Sequence, residues 1–358
     1  MNLHKAAIVI ENYPQWKKNG FFLNEPYFGY RSDVQHFAVL KRKLESVGII
    51  LNTHDVENIE DCKIIICFDQ AEANLPTIDG QVKYLIIHDT FIYNAANWNI
   101  INHVNFDKIF VWNEDVVDSK KYFHYNVPIN LDFTPPQLVT MQTYEERMLC
   151  VMVSGEGTVN KNNSRYSLAF ERYKIVHWFA NNAPKDFRIF GRGWKDKLFR
   201  FRGYSKLDLF LPDKLLVKLG KWYSNKNILT KIYGGEIGPL DKLNIISKFN
   251  FYICYENSSI NGWITEKIFD CFYASCVPVY LGAENICNYI PANCFINRND
   301  FASNEELYEY LKSMTYKTYN NYLENISAFL NSEQLDKFSL ETFADNILVH
   351  ITNDLKLK

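Results

Sequence analysis

The stretch from Phe251 to Gly282 constrains this chain more than any other, because it changes backbone type several times within a short span. Phe251 to Tyr255 is an apolar and aromatic run of the kind that forms a buried strand. Asn261-Gly262 breaks the chain, and Thr265 predicts the cap of a helix running to about Ser275. Ile268, Cys271, Phe272 and Ser275 recur at helical spacing and make a stripe that can lie on a sheet. Val277 to Leu281 then reads as a second strand. The first helical turn carries Glu266 and Lys267, where backbone N–H groups and the helix dipole already favour an anion. A cation there, beside an aromatic and a carboxylate, suits a ligand with a diphosphate, a sugar ring and hydroxyls. That describes a nucleotide sugar. The plainer alternative is that Glu-Lys at the start of an amphipathic helix is a solvated face.

Short apolar strands recur along the rest of the chain between helical stretches: Ala6–Ile10, Ile64–Phe68, Tyr84–Ile87, Ile109–Trp112, Leu149–Val153 and Phe187–Phe190. Such alternation predicts parallel sheets covered by helices, an α/β architecture. Val34 to Leu44 reads as an amphipathic helix with Phe37, Leu40 and Leu44 on one face. Beyond Phe301, three helical stretches (Asn304–Met314, Tyr316–Leu330 and Leu340–Ile351) show apolar spacing near the helical period and no strand. The loop Asn126 to Pro136, rich in Pro and Asn, predicts a boundary between two sheets. The expected units are 1–135, 136–302 and a helical segment 303–358. Internal repeats and low-complexity tails are absent from the sequence.

At 358 residues the chain is long enough for two cores. Apolar residues make up 47% and charged residues 22%, which excludes a disordered chain. A formal net charge of −2 gives no ground for nucleic acid or a membrane surface as partner. The local basic run Arg188 to Arg202, with Arg192, Lys195, Lys197 and Arg200 between, reads as a solvated or acceptor-facing patch. The eight cysteines lie mostly in apolar runs and form no paired CxxC metal framework, so buried free thiols in a reducing compartment are expected. The first residues carry neither a signal peptide's apolar region nor a membrane span.

The block aromatic-Glu256-Asn257, Gly262-Trp263-Ile264-Thr265-Glu266-Lys267-Ile268 and Val277-Pro278-Val279-Tyr280-Leu281-Gly282 resembles the donor-binding signature of the α1,3/4-fucosyltransferases, glycosyltransferase family 10. The likeness continues through Asn97-Trp98, Phe106 to Asn113, Lys120 to Phe123, Glu171-Arg172, Trp178-Phe179, Asp186-Phe187, Gly191 to Trp194, Tyr289-Ile290-Pro291 and Phe295-Ile296; the first 60 residues match only in pattern. The resemblance implies the GT-B fold, two Rossmann-like domains facing across a cleft, with the nucleotide on the carboxyl-terminal domain and the acceptor on the other. It implies an inverting transfer of L-fucose from GDP-β-L-fucose to a hydroxyl of GlcNAc or Glc in a glycan, in α1,3 or α1,4 linkage. Animal members carry a Golgi membrane anchor; without one here, a cytoplasmic bacterial or viral enzyme is the expectation.

Transfer with inversion needs a base for the acceptor hydroxyl, tolerance of positive charge on the sugar, and neutralisation of the departing diphosphate. No two aspartates are separated by a single residue, so the usual Asp-x-Asp metal holder is missing and side-chain cations are expected in place of a metal cofactor. Arg172 is the first such cation, on a helix expected over Arg165–Phe179, because a guanidinium matches phosphate oxygens in pairs. Arg165 and Arg192 compete for that role; the spacing to Trp178-Phe179 matches Arg172 to the family's phosphate-contacting arginine. By the same resemblance Lys267 meets the diphosphate, Glu266 accepts from the ribose, and Asn257 and Trp263 border diphosphate and fucose. Trp263 stands where the family more often has tyrosine. Glu256 belongs to the same donor set, as does Lys242, fourteen residues before it, whose alternative is a solvated lysine on a helix.

Two positions depart from the family pattern. Nine residues before Trp98 the family usually has glutamate as the base; here Asp89 stands there. Its shorter side chain costs roughly 1 Å of reach, enough to matter to rate. Asp69, at the end of the preceding strand, and His88, which titrates near neutrality, are the rivals. Ser154-Gly155 replaces the common Ser-Asn and implies a slightly different loop against the phosphates. Acceptor-binding residues are not identified by the sequence. Two other functions fit the same residues: a GT-B transferase using another GDP- or UDP-sugar, and a non-catalytic nucleotide-sugar-binding protein, which the Glu-to-Asp change suggests.

Overall fold

The computed structural model describes residues 3–11, 13–23, 34–132, 138–155, 166–192, 194, 228–238 and 241–356. The chain divides into two compact units, one of residues 1–132, 261–263 and 335–358, the other of 133–260 and 264–334. Among the described residues each unit is built on a six-stranded sheet in which every pairing is parallel.

In the N-terminal unit the strands are β1 (His4–Val9), β2 (Ile49–Thr53), β3 (Ile64–Phe68), β4 (Val82–Ile87), β5 (Lys108–Val111) and β6 (Tyr122–His124), in spatial order β2-β1-β3-β4-β5-β6. β3 and the last five residues of β4 are buried on both faces, which is why they read as unbroken apolar runs rather than alternations. Helix α1 (Gln35–Ser46) turns Phe37, Leu40 and Leu44 inward, as its spacing predicts. The final helix, α8 (Leu340–Asp354), belongs to this unit and packs on α1, where Phe37 meets Phe343 edge-on at 5.6 Å.

In the C-terminal unit β7 (Met148–Val153), β8 (Phe187–Phe190), β9 (Tyr233–Gly235), β10 (Phe249–Tyr255), β11 (Val277–Leu281) and β12 (Ile296–Asn297) lie in the order β12-β11-β10-β7-β8-β9. Around this sheet are α2 (Met141–Glu146), α3 (Ala169–Asn182), α4 (Lys242–Ile246), α5 (Glu266–Tyr273), α6 (Asn304–Ser313) and α7 (Tyr316–Leu330). β10 is buried along its whole length at the middle of the sheet.

All eight strands read from the sequence are present. β2, β6, β9 and β12 are additional. The helix expected over Arg165–Phe179 is Ala169–Asn182, and Arg165 lies outside the described residues. The boundary expected at 135/136 falls on residues 133–137, also outside them, and so does most of the basic run beyond Arg192. The helical segment expected as one piece at 303–358 is divided: α6 and α7 stay with the C-terminal unit, and α8 crosses to the other.

The sheet orders matter for function. The order in the C-terminal unit is that of a doubly wound nucleotide-binding sheet, with its switch point between β7 and β10. In the N-terminal unit the corresponding switch falls between β1 and β3. Ligands of such sheets bind outside the carboxyl ends of the strands at the switch point.

Asn261–Trp263, though embedded in the nucleotide-sugar signature, are carried by the N-terminal unit. Gly262 has φ +81°, and a Cβ there would collide with the Trp112 carbonyl oxygen. Gly262→Ala is therefore expected to destabilise that unit by more than about 1 kcal/mol, read as a lower thermal midpoint; an unchanged midpoint would show that the close approach is not required.

Candidate active site

The C-terminal unit gathers its charged side chains where β10 ends. Glu256, the next residue, is fully buried and donates its N–H to the Leu281 carbonyl at 2.8 Å, so the chain holds strand geometry one step further. A buried carboxylate must be paired or hydrogen-bonded. Glu256 accepts from the Thr265 N–H at 2.9 Å and from the Thr265 hydroxyl at 2.8 Å, and lies 3.0 Å from the Lys267 ammonium. Lys267 also donates to the Thr265 hydroxyl at 2.8 Å. Gly282 closes the site from β11: a Cβ there would meet Glu256 Cγ at 2.7 Å and collide with the Tyr280 hydroxyl. The closing Gly of the signature is thus a packing requirement of Glu256.

Thr265 occupies the N-cap position of α5, but its side chain caps no helical N–H; the hydroxyl is used by Glu256 and Lys267 instead. The expectation of a capping Thr is corrected accordingly.

Glu266 lies within 3.5 Å of Lys267 and 3.8 Å of Lys242. Burial would raise its carboxyl, but the Lys267 and Lys242 ammoniums outweigh that and hold it at about 2. Lys242 is not a solvated helix lysine: its ammonium is 2.5 Å from Asp270, one turn along α5 from Glu266. Burial works against its charge, and the Asp270 carboxylate leads the opposing effects that push its pKa up. Asp270 was not singled out by sequence reasoning, although its i,i+4 spacing from Glu266 places both on one helix face.

Arg172, on α3, is buried at 5% exposure. Its Nε and Nη2 donate to the Tyr255 carbonyl at 3.2 and 2.6 Å, and Nη2 donates to Asn257 Oδ1 at 2.7 Å. The arginine is close enough to Lys267 to oppose its charge, although Glu256 and Glu266 prevail over burial and hold the lysine protonated. Two cations are thus brought together at the switch point of a nucleotide-type sheet, in the company of the Glu256 and Glu266 carboxylates. On the neighbouring edge, the Trp194 indole donates to the Ser154 carbonyl at 2.6 Å, which ties the Gly191-to-Trp194 motif to the loop after β7.

The N-terminal unit carries the acids. Asp69 follows β3 and Asp89 follows β4, both at the carboxyl edge of the sheet. Asp69 is 2% exposed, and its carboxylate accepts from the His88 N–H at 2.8 Å, the Asp89 N–H at 3.1 Å and Asn97 Nδ2 at 2.9 Å. Its carboxylate is thus occupied by the protein's own donors and closed to solvent. Asp89 is half-buried, and its own carbonyl accepts from the Trp98 indole at 2.8 Å, which accounts for the fixed spacing between the two. Burial pushes the Asp89 carboxyl above its usual range. The His88 ring lies against Phe68 and Trp263. Trp263 also packs on Trp112 at 4.6 Å, and its buried indole N–H has no hydrogen-bond partner among the described residues. The structure therefore brings Arg172, Lys242, Glu256, Asn257, Glu266 and Lys267 together in one unit and places Trp263 with Asp89 in the other.

Two parallel α/β units with charge at their strand ends are the architecture of GT-B glycosyltransferases. A solved structure of an α1,3-fucosyltransferase with GDP shares this fold, with a TM-score of 0.52 at 14% identity over 99% of this chain and 91% of that one. Residues 224–341 match the model of "Glycosyltransferase family 10 (fucosyltransferase) C-term". The chain is therefore related to family 10 through its C-terminal domain, as the signature implies. The mouse 4-galactosyl-N-acetylglucosaminide 3-alpha-L-fucosyltransferase 9 is 43% identical over 102 residues, 26% of this chain and 28% of that protein. The Helicobacter pylori alpha-(1,3)-fucosyltransferase FucT is 25% identical over 225 residues, 60% of this chain and 45% of that protein. The chain thus spans well under half the length of the first curated relatives it matches. No helix among the described residues is long and apolar enough to cross a membrane.

Removing one partner of a buried ion pair costs roughly 3–5 kcal/mol. Glu256→Ala, which takes from Lys267 its nearer carboxylate and leaves the Thr265 N–H without its acceptor, is expected to lose that much in a denaturant titration; a loss below about 1 kcal/mol would show that water replaces the carboxylate.

Proposed function

We propose that this protein is an inverting fucosyltransferase that moves L-fucose from GDP-β-L-fucose to a hydroxyl of GlcNAc or Glc in a protein- or lipid-linked glycan, forming an α1,3 or α1,4 linkage without a divalent metal. One observation carries the reading: Arg172 and Lys267 converge beside the end of β10, and β10 and Lys267 lie in the stretch 224–341 that matches the fucosyltransferase family model. The C-terminal unit supplies the donor contacts. Arg172 and Lys267 face the diphosphate, Asn257 and Lys242 hold Arg172 and Glu266 in place, and Glu266, ionised throughout the physiological range, accepts from the ribose hydroxyls. Glu256 acts behind Lys267 as its counter-charge. The N-terminal unit supplies the base and the acceptor contacts, with Trp263 bordering the sugar.

In the reaction the acceptor oxygen bonds to the anomeric carbon as Asp89 takes its proton. The bond from that carbon to the β-phosphate oxygen breaks, and GDP departs with the electron pair. Charge on the leaving diphosphate is met by fixed cations already in place, which cost no reorganisation at the moment of transfer. Attack from the face opposite the leaving group converts the β donor into an α product. The cysteines are free thiols, seven of them buried, which suits a reducing cytoplasm, as in a bacterial or viral enzyme.

Asp89→Asn is expected to leave GDP affinity unchanged while lowering turnover by about 10²-fold or more; unchanged turnover would remove Asp89 from the mechanism. Because the ionised form is the base and burial raises its proton affinity, kcat/KM should fall as pH drops through a value above the ordinary aspartate pKa of about 3.9. An acid limb at or below that value would contradict the assignment. Lys267→Ala should weaken GDP binding by about 1.5–3 kcal/mol in calorimetry, and an unaltered dissociation constant would place Lys267 outside the site. Excess chelator should leave transfer intact; its complete loss would refute metal independence. Turnover with GDP-mannose and none with GDP-fucose would refute the sugar.

A further inference from the structure

Asp69 sits in the left-handed backbone region at φ +52°, which is uncommon for a residue with a Cβ and is entered chiefly by Asn and Asp, whose side chains can hydrogen-bond nearby backbone. It is held there by its own carboxylate. The peptide N–H groups of His88 and Asp89 both bind it, Asp89 reaching both oxygens at 3.1 Å, and Asn97 Nδ2 binds from the far side at 2.9 Å. The Asn97 amide cannot turn over freely, because its Oδ1 accepts the Ala71 N–H at 3.0 Å. The groups that hydrogen-bond the Asp69 carboxylate are therefore all donors and favour its ionised form, which burial and the nearby Asp89 charge oppose.

The carboxylate thereby grips the backbone turn on which Asp89 is mounted. The same turn is held from outside by the Trp98 indole on the Asp89 carbonyl and the Trp112 indole on the His88 carbonyl, both at 2.8 Å. The groups facing the two carboxyls are the His88 ring, which favours the ionised form of Asp89, His36 stacked on His88 at 6.4 Å, and the Tyr125 phenol, which donates to the Ile87 carbonyl at 2.8 Å. Burial raises both carboxyls, and Asp89 raises Asp69 further.

We propose that Asp69 is a positioning residue for the candidate base: its sealed carboxylate fixes the turn that presents Asp89 and, where ionised, sets a negative charge behind it. The inference rests on the reading of Asp89 as base. It gives a physical means by which the shorter aspartate can serve where relatives of the same pattern have glutamate: less reach, but a locked position.

The test is a carbon-13 carboxyl NMR titration of the full chain labelled at aspartate, with the Asp89 signal assigned by its loss in Asp89→Asn. In Asp69→Asn the Asp89 midpoint should fall by about one pH unit or more, and the acid limb of kcat/KM should move with it while GDP affinity stays the same. In Asp69→Asn/Asn97→Asp the hydrogen-bond pattern is reversed and the charge retained nearby, so the midpoint should return upward; this variant decides the matter if the single one does not fold. An Asp89 midpoint unmoved in the single variant, or in the ordinary aspartate range in the double variant, overturns the proposal. Wild-type turnover in Asp89→Asn would instead overturn the base assignment, and the NMR midpoints would still decide the coupling between the two carboxyls.

Discussion

A carboxylate with no exposure to solvent, Glu256, organises the C-terminal unit. An isolated charge in that position would cost far more than the unit's net stability, so the chain around it is committed to satisfying it. Thr265 gives up its capping role to bind it, Lys267 is drawn in as its counter-ion, and Gly282 and Tyr280 are shaped to its flank. Much of the sequence signature follows from this one requirement. The residues that would touch a nucleotide are held by residues that need not touch it.

A second constraint is the sheet. In the C-terminal unit the charged side chains gather where β10 ends, beside the point where strand order reverses; in the N-terminal unit Asp69 follows β3, which borders that point, and Asp89 follows β4, the next strand along. The flanking crossovers run in opposite directions at the switch point, leaving room for side chains and a ligand. In the C-terminal unit the carboxyl edge of the sheet carries cations with their counter-charges; in the N-terminal unit it carries a pair of aspartates, one sealed and one half-buried. The cation cluster and the aspartate pair thus lie in different units.

Much of this was legible beforehand, for identifiable reasons. β3, β4 and β10 are buried on both faces, so continuous apolar runs betray them. β12 has two residues, β6 has three half-buried ones and β9 reads Tyr-Gly-Gly; such strands are defined by their neighbours, not by their own pattern. Glu266 and Lys267 could be found because they share a helical turn. Asp270 could not be recognised as the partner of Lys242, since their pairing joins two helices. Thr265 was misassigned because the residue types that cap helices are the ones that can bind a buried carboxylate. Trp263 stands among donor-signature residues, yet Gly262 carries it onto Trp112 of the N-terminal unit, a route that only the fold reveals. That Asp69 is sealed could not be anticipated, because burial and hydrogen bonding leave no trace in a one-dimensional pattern.

The most direct test is a crystal structure grown with GDP in metal-free buffer. The account predicts diphosphate oxygens within hydrogen-bond distance of Arg172 and Lys267 and ribose hydroxyls against Glu266, with no ion between them. A diphosphate bound elsewhere, or bound at those residues only when a divalent cation is added, would contradict it.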